Sequence, residues 1–266
     1  MTNENKHFSL FETDQPVALV TGSGAKDRLG QSIARALARR GYRLVIHANR
    51  SMTDAEQFVD ELRSQGTDAI CQVADLSKQA EVEKLLAECQ RSFGRLDALA
   101  NCASIWERCE LSDVSENDVR RHFEVNTLGT FLCCQIGGQI MVDQPSGGVI
   151  VNFGDWATFR PYEAYSAYFA SKGAVPTMTR DFAIELARRN PRIRVNAVLP
   201  GPVTLPDDLP AATQQAAIDS CLLKRQGKPE HVVDATVFLL EHEFLTGVCL
   251  PVDGGRSIYA PTDHWR

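Results

Sequence analysis

The chain's 266 residues, 44% hydrophobic and 23% charged, fit one large α/β domain that buries most of its apolar surface. A net charge of −6, with basic residues scattered among acids, excludes a surface that grips a nucleic-acid backbone. No uninterrupted apolar run nears the roughly 20 residues that span a bilayer, and the first residues lack the basic-then-apolar order of a signal peptide, so a cytoplasmic protein without nucleic-acid or membrane partners is expected.

Residues 1–15 read as a polar leader and 16–266 as a single domain. Short β-branched runs at 17–22, 42–48, 68–75, 96–103, 148–155, 194–201 and 247–255 predict strands. The spacers read as amphipathic helices. LGQSIARALARRG sets Leu29, Ile33, Ala36 and Leu37 on one face and ends at Gly41, while SKQAEVEKLLAECQRSFG stops at Gly94, both where a left-handed C-cap belongs. Strand, helix, strand at these lengths requires right-handed parallel crossovers, hence a Rossmann-type doubly wound sheet with helices on both faces. Ligands of such sheets sit beyond the C-terminal strand ends, which gathers Gly22, His47 to Ser51, Asp75, Asn101, Asp155 and Pro200 to Val203 on one rim. Prolines 202, 206 and 210 break the alternation over about 202–230, predicting a substrate loop with a short helix over that rim. The eight cysteines form no CxxC pair and no His-clustered spacing, so reduced thiols and no metal site are expected.

The turn between the first strand and first helix, GSGAKDRLG at 22–30, offers backbone N–H groups and a helix N-terminus to a pyrophosphate. At the end of the second strand stands HANRS rather than the acid that would accept from an NAD ribose. Arg50 and the Ser51 hydroxyl suit a 2′-phosphate, with Lys26 and Arg28 nearby, so NADP(H) is the expected cofactor. Tyr168 and Lys172, four apart, share a helix face. An adjacent cation favours a phenolate, which makes Tyr168 the candidate proton donor and Lys172 the group that tunes it and holds the cofactor ribose. Tyr162 and Tyr165 lie further from the lysine.

The order of these motifs resembles the short-chain dehydrogenase/reductase family: the TG turn, ADL at 74–76, NCAS at 101–104, VNT at 125–127, YxxxK at 168–172 and PGPV at 200–203. Within it, RLGQSIA, HANRS, NCASIW, Asp155, TLPDDLPAA and VDGG resemble the pteridine reductases. The resemblance implies that Gly22, Leu29, Gly30, Asp75, Leu76, Asn101, Ala103, Pro200, Gly201 and Val203 lie along the cofactor, and that Asn126 holds a water in a proton relay. It implies that Trp106 stacks a flat substrate against nicotinamide and that Arg28 meets pterin or phosphate. Where the family usually has a serine, thirteen residues before the tyrosine, this chain has Asp155. An ionised carboxylate repels a ketone oxygen becoming an oxyanion, whereas a carboxylic acid of raised pKa can protonate a ring nitrogen while hydride reaches carbon. The expected activity is therefore NADPH-dependent reduction of a dihydropteridine, a dihydrofolate or the oxidised pterin. The alternatives are a carbonyl reductase of the same family and a dinucleotide-binding sensor or scaffold without turnover. The resemblance also implies a homotetramer, in which Arg266 would reach a neighbour's pocket.

Overall fold

The computed structural model describes residues 10–26, 28–205 and 209–259. Strands β1 (Val17–Thr21), β2 (Arg43–Ala48), β3 (Ala69–Val73), β4 (Ala98–Asn101), β5 (Gly148–Phe153), β6 (Ile193–Pro200) and β7 (Cys249–Val252) form one parallel sheet in the order β3-β2-β1-β4-β5-β6-β7. The order reverses between β1 and β4, and this switch point opens a crevice beyond their C-terminal ends.

Helices α1 (Leu29–Ala38), α2 (Met52–Ser64) and α3 (Gln79–Phe93) alternate with the first strands. The face carrying Ile33, Ala36 and Leu37 is buried in α1, as its spacing requires. Gly94 caps α3 in the left-handed conformation, at φ 73°. At the end of α1 the helix stops at Ala38, and Gly41 takes φ +84° only after a further turn. Then follow α4 (Glu116–His122), a π-helical turn (Phe123–Leu128), α5 (Gly129–Asp143), α6 (Ser166–Arg189), α7 (Ala211–Asp219) and α8 (Pro229–Glu241). The continuous run Glu116–Asp143 is long and apolar enough to cross a membrane by length and composition, although the sequence shows no unbroken apolar stretch; half of its most apolar window is buried inside the protein. Apolar side chains on the two sheet faces form two core clusters. The lid expected over 202–230 contains the short helix α7, none of whose residues is buried.

The leader does not end cleanly at residue 15. Phe11 is 2% exposed and meets the Tyr42 ring edge-on at 6.2 Å. The Arg95 guanidinium donates to its carbonyl at 2.7 Å, and Glu12 pairs with Arg192. Burial of an aromatic stabilises by roughly 2–3 kcal/mol, so residues 10–12 belong to the packed domain.

Candidate active site

The exits of β1 to β6 enclose a groove of about 700 Å³. Its floor at the switch point is glycine-built. Gly22 adopts φ +66°, and a Cβ there would lie 2.8 Å from the Ala103 backbone; at Gly30 a Cβ would lie 2.7 Å from the Gly22 carbonyl. Only glycine lets strand exit, helix start and ligand backbone approach this closely. His47, buried at the end of β2, fixes the turn: its Nε2–H donates to the Ala74 carbonyl at 2.9 Å, and its Nδ1 accepts the Gly22 N–H at 3.0 Å. Burial pulls its pKa down to about 4, so the ring is neutral and this tautomer holds three strand ends together.

Gly22, Arg28, Leu29, Gly30, Arg50 and Ser51 line the groove on the expected dinucleotide side, as do Asp75, Leu76 and Ala103. Pro200, Gly201 and Val203 close its other end. Among the described residues neither Arg28 nor Arg50 makes an ion pair. The Asp75 carboxylate accepts from the Ser77 N–H and hydroxyl at 3.1 and 2.7 Å. These features fit a dinucleotide: a tight cradle of backbone, free guanidinia and a fixed carboxylate.

Three expectations are corrected here. Asn101 is buried, and its amide donates to Asn152 Oδ1 at 2.9 Å and to Cys134 Sγ at 3.4 Å, beneath the sheet; Cys102, Ala103 and Ser104 line the groove in its place. Lys26 is exposed and lies outside the groove lining. The Ser51 hydroxyl caps α2, accepting from Asp54 N at 3.4 Å while donating to its carboxylate at 2.6 Å, so of the pair expected at this strand end only Arg50 has a side chain without a protein partner among the described residues.

Across the groove, β5 delivers Asp155 and the first turn of α6 delivers Tyr168. The phenol donates to Asp155 Oδ2 at 2.7 Å, and Asp155 Oδ1 accepts the Ala157 N–H at 2.7 Å, capping a single helical turn at Trp156–Thr158. Burial raises the Asp155 pKa, opposed by these two hydrogen bonds. Burial and the neighbouring carboxylate raise the Tyr168 pKa well above its ordinary value. Lys172 therefore does not convert Tyr168 to a phenolate as the four-residue spacing suggests. Its ammonium turns to the Phe153 carbonyl at 2.7 Å, and burial lowers its pKa to about 8, with Asp155 acting in the opposite direction. A carboxyl of raised pKa joined to a protonated phenol is a proton-donating pair.

Asn126 sits inside the π-helical turn, a distortion that recurs at functional positions. Its Oδ1 accepts from Ser104 Oγ and Ile105 N, and its Nδ2 donates to the Ile105 carbonyl and to Ser171 Oγ, at 2.9–3.0 Å. The amide is fully engaged, so the Asn126 side chain ties the β4 exit to α6 at Ser171, next to Lys172. Trp106 lines the groove and is 41% exposed, but one face is covered: Tyr165 stacks on it with centroids 4.8 Å apart and planes within 5°. Sequence reasoning set Tyr165 aside for its distance from Lys172, yet its place three residues before Tyr168 puts it on the same rim. Arg266 lies outside the described residues.

Residues 16–215 match the family described as short chain dehydrogenase. The chain is 34% identical to the human 3-oxoacyl-[acyl-carrier-protein] reductase over 88% of its own length and 96% of the relative's. It is 33% identical to versicolorin reductase 1 of Aspergillus parasiticus, covering 91% of this chain and 96% of that one. Identity reaches 35% with a (2S)-[(R)-hydroxy(phenyl)methyl]succinyl-CoA dehydrogenase subunit of Thauera aromatica, covering 92% and 97%. The crystal structure of gox2181 superposes with a TM-score of 0.85 at 29% identity, covering 92% of this chain and 96% of that one. With that family match spanning the nucleotide turn, Asp155, Tyr168 and Lys172, the protein is an oxidoreductase of the short-chain dehydrogenase family, whose members bind a nicotinamide dinucleotide.

Proposed function

We propose that the protein is an NADPH-dependent reductase of pteridines, adding hydride to a ring carbon and a proton to the adjacent ring nitrogen. The observation that carries this reading is the 2.7 Å contact between the Tyr168 hydroxyl and the buried Asp155 carboxyl. NADPH, when bound, supplies the hydride. Arg50 and Arg28 hold its phosphates, the glycine turn accepts its pyrophosphate, and Lys172 stands beside the reacting end. Asp155, whose pKa burial raises, delivers the proton to nitrogen from its carboxylic acid form, the Tyr168 hydroxyl orients it through their hydrogen bond, and solvent restores the proton. Trp106, backed by Tyr165, offers a flat apolar wall to a flat heterocycle.

A second reading, reduction of a ketone, is favoured by the names of the relatives, among them 3-oxoacyl and versicolorin reductases. The two separate in one assay: NADPH oxidation with dihydrobiopterin, dihydromonapterin and dihydrofolate, beside a set of ketones. Turnover of a pteridine is expected; turnover of ketones alone overturns the pteridine assignment.

The expected assembly also finds support. Phe123, Leu128, Phe131 and Ile184 are exposed on the paired α5 and α6 side of the molecule, and an apolar face of this kind suits a second copy of the chain. Light scattering of Phe131→Glu, expected to give smaller particles than the native chain, tests this.

A further inference from the structure

Beside the groove lies a second cavity of about 320 Å³, enclosed between the substrate loop and the turn after β7. Val203 borders both spaces, so this cavity adjoins the end of the groove that Pro200, Gly201 and Val203 form. Its walls are pinned: Leu223 N donates to the Gly254 carbonyl at 3.1 Å, and Gly227 N to the Pro202 carbonyl at 3.1 Å. Leu222 and Leu223 line it while remaining 49% and 58% exposed, an apolar surface left uncovered by the protein.

The polar side chains of the lining include two donors, Arg225 and His231, beside Gln226 and Asp253. Arg225 borders the cavity and makes no ion pair among the described residues. His231 accepts the Lys228 N–H at Nδ1, 3.0 Å away, so its neutral ring carries a proton on Nε2. The one acid of the lining, Asp253, is already engaged: its two oxygens accept the N–H groups of Gly255 and Ser257 at 2.9 and 2.7 Å. An apolar chamber with an unpaired guanidinium and no free carboxylate matches an apolar or aromatic spacer that ends in an anion.

We infer that this cavity is a subsite for the tail of the substrate, receiving a carboxylate-ended aromatic or aliphatic spacer with Arg225 against the carboxylate. The inference rests on the pteridine reading for the identity of the reacting ring, and its test is separable from that reading. Protein loaded with NADP is titrated calorimetrically with N-(4-aminobenzoyl)glutamate and with its neutral diamide. The diacid is expected to bind at least about tenfold more tightly than the diamide. Arg225→Gln removes that preference, Arg225→Lys restores part of it, and Leu222→Trp, which fills the chamber, weakens both ligands. In steady-state kinetics, Arg225→Gln raises KM for dihydrofolate about tenfold without changing kcat, and leaves dihydrobiopterin unaffected. Absence of binding to the native protein, equal binding of diacid and diamide, or an Arg225→Gln variant that binds like the native chain overturns the subsite. Binding of the diacid without turnover of any pteridine overturns the proposed reaction and leaves the subsite standing.

Discussion

The Tyr168 hydroxyl donates to Asp155 at 2.7 Å, so the candidate proton donor is paired with an acid, while the Lys172 ammonium donates to the Phe153 carbonyl. Replacing Asp155 by Ser keeps a side chain that can cap the turn but removes the carboxylic acid. Pteridine turnover is expected to fall about 10²–10⁴-fold with NADPH affinity unchanged, as followed by cofactor fluorescence. In Tyr168→Phe the acid loses a hydrogen bond that favours its charged form. In the proposed reaction the protonated acid is the active form, so activity is expected to fall as pH rises through its pKa, and in this variant that limb moves to higher pH. An unmoved limb would show that another group titrates there.

Lys172 predicts a second, alkaline limb. Burial lowers its pKa to about 8, so the ammonium is charged at pH 7 and loses its proton as pH rises through 8. Dinucleotide affinity and kcat are both expected to decline over that interval, and Lys172→Met should remove the pH dependence of binding while weakening it throughout. Titrations of NADPH binding between pH 7 and 9 provide the comparison.

His47 makes stability depend on acid. Its pKa is lowered by burial from 6.5 to about 4, so between these values the unfolded chain binds a proton that the folded chain refuses. Its contribution is complete above pH 6.5 and is lost as pH falls toward 4, a swing on the order of 3 kcal/mol. His47→Gln can still span the strand ends and does not titrate. The difference between native and variant urea-unfolding free energies should shrink as pH drops from 7 to 4; a constant difference contradicts a buried neutral ring.

Gly22→Ala tests the cradle. At φ +66° any Cβ is strained, and here it would lie 2.8 Å from the Ala103 backbone, which has no freedom to rotate aside. A loss of about 1–3 kcal/mol in unfolding free energy is expected, together with loss of NADPH binding. A variant that is weakened in stability but binds the cofactor normally would separate the turn from the phosphate site.

The strands were legible because fully buried parallel strands are runs of β-branched residues, as in Val17–Thr21, and the cap at Gly94 because few other residues adopt its backbone. Side-chain direction was not legible. Asn101 and Cys102 differ by one place in the chain, and only the strand register with Asn152 turns the amide inward. Spacing put Lys172 near Tyr168, but the competition between a phenol and the Phe153 carbonyl for one ammonium depends on how β5 lies against α6. Leu10 and Phe11 were hidden by the polar residues on either side of the pair, since composition averages over the few side chains that pack. The stacking of Tyr165 on Trp106 joins residues 59 positions apart on two different loops, a pairing that no local pattern encodes.

Asp155 both accepts the Tyr168 hydroxyl and caps the turn that follows it. The side chains that hold such a cap form a short set, Asp, Asn, Ser and Thr, and that set contains both the hydroxyl usual in the family and the carboxyl found here. On the proposed reading, a change at this position alters which bond is reduced while the loop keeps its shape. Chemical diversity becomes reachable by single substitutions that architecture already tolerates, and an ancestral ketone-reducing site and a nitrogen-protonating one would be separated by very little evolutionary distance.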